Sequence, residues 1–203
     1  MDEQESMEEK QEKQEERQPG RSVYEWVQAL VCSVLAAVLL FTFGVRIVGV
    51  SGASMRETLQ NGDMLLVVNG ILCREYRQGD IVIAAKASFE NGEPIVKRVI
   101  ATEGQTVDVD FVNGVVSVDG TALSEPYIRE ETHLSEGTEF PLTVPEGCVF
   151  LMGDNRNDSR DSRDPLLGAV DTRNLIGRAV FLLVPGETAG LEDREWNRIG
   201  SLC

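Results

Sequence analysis

Apolar and polar positions change their period three times along this chain, and each change predicts a different kind of element. From Val27 to Val45 no residue is charged (VQALVCSVLAAVLLFTFGV), a run of 19 positions, about the length at which a helix crosses the hydrocarbon core of a bilayer. Tyr24 and Trp26 stand at its start, where aromatic rings favour the membrane interface. A buried soluble helix would normally show a polar stripe, and a cleaved secretory signal would have a shorter apolar run behind a basic lead. The pattern therefore predicts a retained membrane anchor. Beyond it, the apolar runs shorten and become β-branched. Met64 to Asn69, Asp80 to Ala84, Ile95 to Ile100 and Val149 to Met152 read as strands, with Val180 to Val184 closing the set. Val107 to Gly120 alternates apolar and polar residues around Asn113-Gly114, which predicts a hairpin with a two-residue turn. Thr121 to Pro145 is irregular and acidic and reads as an exposed insertion; after Pro185 no element is predicted. Residues 1 to about 18 are almost all polar and cannot bury enough apolar area to offset their ordering entropy, so they read as a solvated tail ended by Pro19-Gly20.

Charge narrows the classes. Lys10, Lys13, Arg17 and Arg21 precede the apolar run, and Arg46 and Arg56 follow it. Only Lys and Arg count towards membrane orientation, so the balance slightly favours a cytoplasmic N-terminus and an exported remainder. The net charge of -15 and a pI near 4.5 would repel a phosphate backbone, which sets nucleic-acid binding aside. Cys32, Cys73, Cys148 and Cys203 include no C-x-x-C pair, and His133 is the sole histidine, so a zinc site of the usual spacing is not expected. Outside the cytoplasm Cys73 and Cys148 have two readings, a disulfide or unpaired buried thiols.

A Ser-His-Asp triad would have to use His133, which lies in the acidic stretch ETHLSEG far from any nucleophile motif and reads as a solvated surface residue. HExxH is absent. Lysine is another base able to activate a hydroxyl, provided it is neutral. In Ile95-Val96-Lys97-Arg98-Val99-Ile100 the two-residue period puts Lys97 between Ile95 and Val99 on one face, and Arg98 between Val96 and Ile100 on the other. Such neighbours desolvate an ammonium. Reaching neutrality near pH 7 takes roughly three pKa units, about 4 kcal/mol. The ordinary reading is an edge lysine with its head in water. The candidate nucleophile is Ser54 in Val50-Ser51-Gly52-Ala53-Ser54-Met55-Arg56-Glu57-Thr58-Leu59, where small residues let a peptide backbone approach. Its place about ten residues beyond the anchor suits work at the bilayer surface. The third segment is GDNRNDSRDSR (Gly153 to Arg163). It is either a solvated turn or a supporting frame, with Asp154 to pair with Arg98, Asp161 to pair with Arg163, and Ser159 to orient an uncharged lysine amine.

Taken together these segments resemble the bacterial type I signal peptidases, whose boxes S-x-S-M-x-P-T-L, G-D-I-V, K-R-V-I and G-D-N-R-x-x-S-x-D-S-R run in this order. Here they stand as SGASMRETL, Gly79-Asp80-Ile81-Val82, Lys97-Arg98-Val99-Ile100 and GDNRNDSRDSR, over roughly Trp26 to Val184. The resemblance implies Ser54 as nucleophile, Lys97 as general base, Ser159 on the lysine amine, and Asp154, Arg98, Asp161 and Arg163 as the frame. It also implies that the Ser54 backbone N–H lines the oxyanion hole, and that Met55 with nearby Gly52 and Ala53 shapes shallow pockets for small side chains at −1 and −3. Three departures stand out: Glu57 replaces the usual proline, Gly52 replaces the serine or threonine that some members use as a second oxyanion donor, and ATEGQ after Ile100 is looser than the usual glycine-and-proline run.

The expected fold is mostly β: an antiparallel catalytic core (47–103 and 148–185) with an inserted hairpin subdomain (104–147). An acidic cytoplasmic tail (1–22) and one transmembrane helix (23–46) precede it, and a C-terminal segment (186–203) follows. The expected activity is removal of signal peptides from exported preproteins at the plasma membrane, by a monomer without metal or cofactor. One rival is a Ser-Lys autoprotease of the repressor-cleaving type, which would carry a DNA-binding module where this chain has an anchor. Another is a membrane-tethered, non-enzymatic scaffold, which would be expected to have lost Ser54 or Lys97.

Overall fold

The computed structural model describes residues 19–187 and 194–202; the acidic tail up to residue 18, and Cys203, lie outside them. The described residues fall into two units divided between Thr42 and Phe43, and among them the second carries all the β structure. In the first, helix α1 (Pro19–Leu39) runs into a wider π turn (Leu40–Gly44). Its apolar side chains are exposed all round, from Val23 to Leu39. A helix with no polar stripe and no protein packed on it needs an apolar solvent.

The second unit holds strands β1 (Val45–Gly49), β2 (Met64–Asn69), β3 (Ile81–Ala84), β4 (Ile95–Thr102), β5 (Thr106–Asp110), β6 (Val115–Val118), β7 (Thr121–Ala122), β8 (Leu142–Thr143), β9 (Cys148–Met152), β10 (Val170–Asp171), β11 (Leu175–Val184) and β12 (Gly200–Ser201). All pair antiparallel. The larger sheet has the order β1-β2-β11-β3-β4-β9-β10, with β12 added on β11; the smaller has the order β7-β6-β5-β8. Strand β4 is central. It pairs with β3 (Lys97 opposite Val82) and with β9 (Arg98 opposite Met152), and its side chains feed three apolar clusters. Val96 joins Leu59, Leu65 and Ile81; Ile95 and Val99 join Val82, Leu151 and Leu167; Ile100 and Ala101 join Phe150 and Met152 against Val107, Val109, Val116 and Val118 of the small sheet. The last cluster welds the small sheet to the large one, helped by edge-on contacts of Phe140 with Phe111 (5.9 Å) and Phe150 (5.8 Å).

Three expectations need correcting. The hairpin does not turn on two residues: Asp110 pairs with Val115, so the loop is Phe111 to Gly114. The Asp110 carboxylate accepts the N–H groups of Val112 (2.9 Å) and Asn113 (3.0 Å), a local side-chain turn that outcompetes the tighter one, while Phe111 stays beside Phe140. The stretch from Thr121 to Pro145 is not merely exposed. Thr132 is buried, and Glu125 pairs with fully buried Arg156, which also donates to Thr132 Oγ1 (2.8 Å) and the Gly153 carbonyl (3.1 Å). The chain after Pro185 does carry structure: a short 3-10 turn (Trp196–Arg198) and β12, with Arg198 donating to Asp63 at 2.6 and 3.0 Å. These contacts bridge positions far apart in sequence, so no local period announces them.

Arg156→Ala strands the Glu125 carboxylate in a dry site and is expected to cost about 3–5 kcal/mol. Adding Glu125→Gln returns part of that. Denaturant midpoints of the full chain in detergent check both; a loss below 1 kcal/mol for the single variant would mean that this pair does not hold the insertion.

Candidate active site

Strand β1 hands the chain to a loop closed at its base: the Val50 N–H donates to the Asp63 carbonyl, and Gly62 N–H donates to the Val50 carbonyl, both at 2.8 Å. Within it Gly52 adopts φ +99°, a left-handed conformation that suits glycine, and its N–H donates to Asn61 Oδ1 at 3.0 Å. Met55 and Leu59 anchor the underside in the apolar cluster with Leu65 and Val67. Met55 is 2% exposed, so it braces the nucleophile loop from within, and the structure does not place it on the groove expected to hold substrate. From the other side Asn155 clamps the loop, its N–H donating to the Ser54 carbonyl (3.0 Å) and its Nδ2 to the Ala53 carbonyl (3.1 Å). Gly153 lets the two loops meet. A Cβ there would lie 2.2 Å from Ser159 Oγ and 2.5 Å from the Ser54 carbonyl oxygen.

Lys97 is 3% exposed on the β4 face shared with Ile95 and Val99. Burial pulls its pKa down; Asp161, Glu136 and Asp154 oppose this, and Arg163 works with the burial. Among the described residues no hydrogen bond holds its Nζ, and none joins it to Ser54. On the opposite face Arg98 grips Asp154 with Nε (2.8 Å) and Nη2 (2.6 Å), donates to the Gly79 carbonyl (2.8 Å) and lies 4.0 Å from the Tyr127 ring centroid. Thr58 Oγ1 donates to the same carboxylate at 2.5 Å, which ties the nucleophile loop to this pair. Burial, followed by the Glu125 carboxylate, drives the Tyr127 phenol upward and keeps it neutral.

The turn from Gly153 to Arg163 is built on Asp161. Its carboxylate accepts from Arg163 Nε and Nη2 (both 2.8 Å), the Gly153 N–H (2.9 Å) and Ser159 Oγ (2.9 Å). Ser159 thus gives its proton to Asp161, leaving its lone pairs as acceptors for an amine N–H. An open groove of about 410 Å³ collects Gly52, Ala53, Ser54, Lys97, Ser159 and Glu136, with Phe89, Ile95 and Leu134 as apolar lining. A larger cavity of about 870 Å³, lined by Cys73, Tyr76 and Cys148, contains neither Ser54 nor Lys97. Cys73 and Cys148 are free thiols there, and Cys32 is free on α1. His133 is half exposed and packs by Nδ1 on the Phe111 carbonyl (3.0 Å), remote in role from any hydroxyl.

Local sequence reasoning passed over Asn155, Gly153, Thr58 and Glu136. The first two sit inside the GDNR box and Thr58 inside SGASMRETL, so membership of those boxes was their signal; Glu136, in an acidic loop, carries none until the chain is folded.

A hydroxyl and a desolvated amine lining one groove, framed by buried carboxylates, are the groups that a serine hydrolase using lysine as base requires. Residues 23–184 match the family model described as "Signal peptidase, peptidase S26". The chain is 36% identical over 172 residues to signal peptidase I of Bacillus licheniformis, covering 81% of this chain and 90% of that protein. It is 33% identical over 190 residues to a probable signal peptidase I-1 of Synechocystis, covering 90% of each. To signal peptidase I T of Bacillus subtilis it is 35% identical over 175 residues, covering 79% of this chain and 85% of that one. The chain belongs to the S26 signal peptidase family, and so to the membrane-bound serine endopeptidases. One helix among the described residues, within Val23–Gly44, is long and apolar enough to cross a bilayer, consistent with a single-pass topology.

Gly153→Ala forces its methyl into the Ser54 carbonyl and Ser159. A displacement of about 1 Å at the reacting atoms lowers the rate roughly a hundredfold. Preprotein cleavage is expected to fall by that order while the far-UV circular dichroism stays native; full activity would show that the two loops can separate without harm.

Proposed function

We propose that Ser54 and Lys97 are the nucleophile and general base with which this peptidase removes signal peptides from exported preproteins. The observation that carries this reading is a lysine almost wholly buried in the same groove as a serine held by its backbone. Neutral Lys97 takes the Ser54 proton as Oγ attacks the scissile carbonyl. The tetrahedral oxyanion is met by the Ser54 backbone N–H. Lys97 then passes the proton to the departing amine, and the mature protein leaves with a new N-terminus. The signal peptide remains as an ester on Ser54 until water, deprotonated by Lys97, releases it. Ser159, its own proton committed to Asp161, accepts an N–H from the amine and leaves the nitrogen lone pair for Ser54. Gly52 gives its N–H to Asn61, so a second oxyanion donor has to come from elsewhere or from a shift of the loop. Small residues at −1 and −3 suit a groove with backbone and Ala53 on one side and Phe89, Ile95 and Leu134 nearby.

The distribution of Lys and Arg about the span supports a cytoplasmic N-terminus with the β unit outside. Residues 104–147 act as a subdomain that buttresses the catalytic turn.

The reading is tested by cleaving a preprotein with an A-x-A site in detergent–lipid micelles. Wild type is expected to release the mature protein, and Ser54→Ala and Lys97→Ala to lose at least a thousandfold; residual activity near wild type in either variant would remove that residue from the mechanism.

Stability gives a second check. The pKa of Lys97 is lower folded than unfolded, so the unfolded chain binds more protons, and the cost of burying the amine falls as pH rises from the folded pKa towards about 10.4. Lys97→Met is therefore expected to be inactive yet to melt higher than wild type at pH 7, by roughly 2–4 °C per kcal/mol recovered. The gap should narrow towards pH 10. A variant that melts lower at pH 7 would mean that the amine is not desolvated.

A further inference from the structure

We propose that Glu136 is a positioning residue of the dyad: held at the groove between Asp161 and Arg163, its carboxylate governs the proton on Lys97. This rests on Lys97 being the base.

The acidic stretch between β7 and β8 is stapled to the catalytic turn on both sides of Glu136. Before it, the N–H groups of His133 and Leu134 donate to Asn157 Oδ1 (2.9 and 3.0 Å), and Arg163 Nη1 donates to the Leu134 carbonyl (2.9 Å). After it, Thr138 donates by N–H to the Arg163 carbonyl (2.9 Å) and by Oγ1 to the Ser162 carbonyl (3.2 Å). The Glu136 side chain is 10% exposed; its Oε2 accepts the Asp161 N–H at 3.1 Å and stands 3.9 Å from Arg163 Nε. It lines the same groove as Ser54 and Lys97.

Charge balance shows what it does there. The charges that face Lys97 are Asp161, Glu136, Asp154 and Arg163. Asp154 is gripped at two points by Arg98, and Asp161 by Arg163, although Asp161 still exerts the largest charge effect on Lys97, ahead of Glu136. Of the three carboxylates that act on Lys97, Glu136 is the one without a two-point cationic partner. Glu90 and Asp158 also line the groove; Glu90 pairs with Arg160, which pairs in turn with Asp164. Of the three carboxylates that act on the desolvated amine, Glu136 is thus the least tightly paired, with Arg163 Nε 3.9 Å away. It stabilises the ammonium form and works against the burial that makes Lys97 a base. Its own carboxyl is pushed up, first by burial and then by Asp161. A base with a pKa drawn far below the working pH is always neutral but weak; one near the working pH combines readiness with driving force. Glu136 holds Lys97 closer to that second condition.

The test is the pH profile of kcat/KM for preprotein cleavage by the full chain in detergent–lipid micelles, whose acid limb reports the free-enzyme base. Glu136→Gln keeps an acceptor for the Asp161 N–H and removes the charge. The acid-limb midpoint is expected to move down by about 0.5 to 1 unit, in line with one charge at intermediate dielectric. Glu136→Met, which lacks both charge and acceptor, should move it the same way. Thr138→Val loosens one staple without removing the carboxylate, and should lower the plateau with the midpoint in place. An unshifted acid limb in both folded Glu136 variants, with only the plateau reduced, overturns the proposal and leaves Glu136 a structural prop. Lys97→Ala runs alongside: its inactivity at every pH keeps the dyad intact whatever Glu136 does, and its activity would overturn the dyad itself.

Discussion

The burial of one amine is the constraint around which the rest of this structure is arranged. Lys97 sits on β4 between Ile95 and Val99, out of water, on the strand that feeds all three apolar clusters. An ammonium would be costly there, so the same packing that stabilises the sheet prepares the amine for its proposed role as base. The neighbouring charges follow from this. Asp154 and Asp161 each meet an arginine with two-point geometry, which lessens the pull these carboxylates exert on a proton at the amine.

The proposed nucleophile is positioned differently. Ser54 is on no strand or helix; its loop is pinched at Val50 and Gly62, braced from within by Met55 and Leu59, and clamped through its carbonyl by Asn155. Holding a backbone carbonyl fixes the residue while leaving the hydroxyl free to turn. Thr58 then joins that loop to the Arg98–Asp154 pair, so the hydroxyl and the amine are referred to one frame although 43 positions separate them (97 less 54). The insertion between β7 and β8 completes the frame from outside through Glu125, Asn157 contacts and Glu136. A surface appendage by composition, it is part of the site by contact.

Anchoring suits this chemistry. A substrate whose own apolar segment is confined to a bilayer is presented at high effective concentration to a peptidase in the same bilayer.

What the sequence determined by itself was whatever has a short period or a dense local composition. The uncharged run after Trp26, the β-branched strands, the placing of Lys97 between Ile95 and Val99, and the polar segment from Gly153 to Arg163 were all legible, because alternation and length act within a few residues. Tertiary structure alone decided the rest. It paired Arg156 with Glu125 and Arg198 with Asp63, opened the hairpin turn to four residues through Asp110, turned Met55 inward, directed the Ser159 proton to Asp161, and carried Glu136 from an acidic loop to the groove that Lys97 lines. Each depends on which distant groups share a buried space, and burial, which sets the strength of every charge in that space, exists only once the chain has folded.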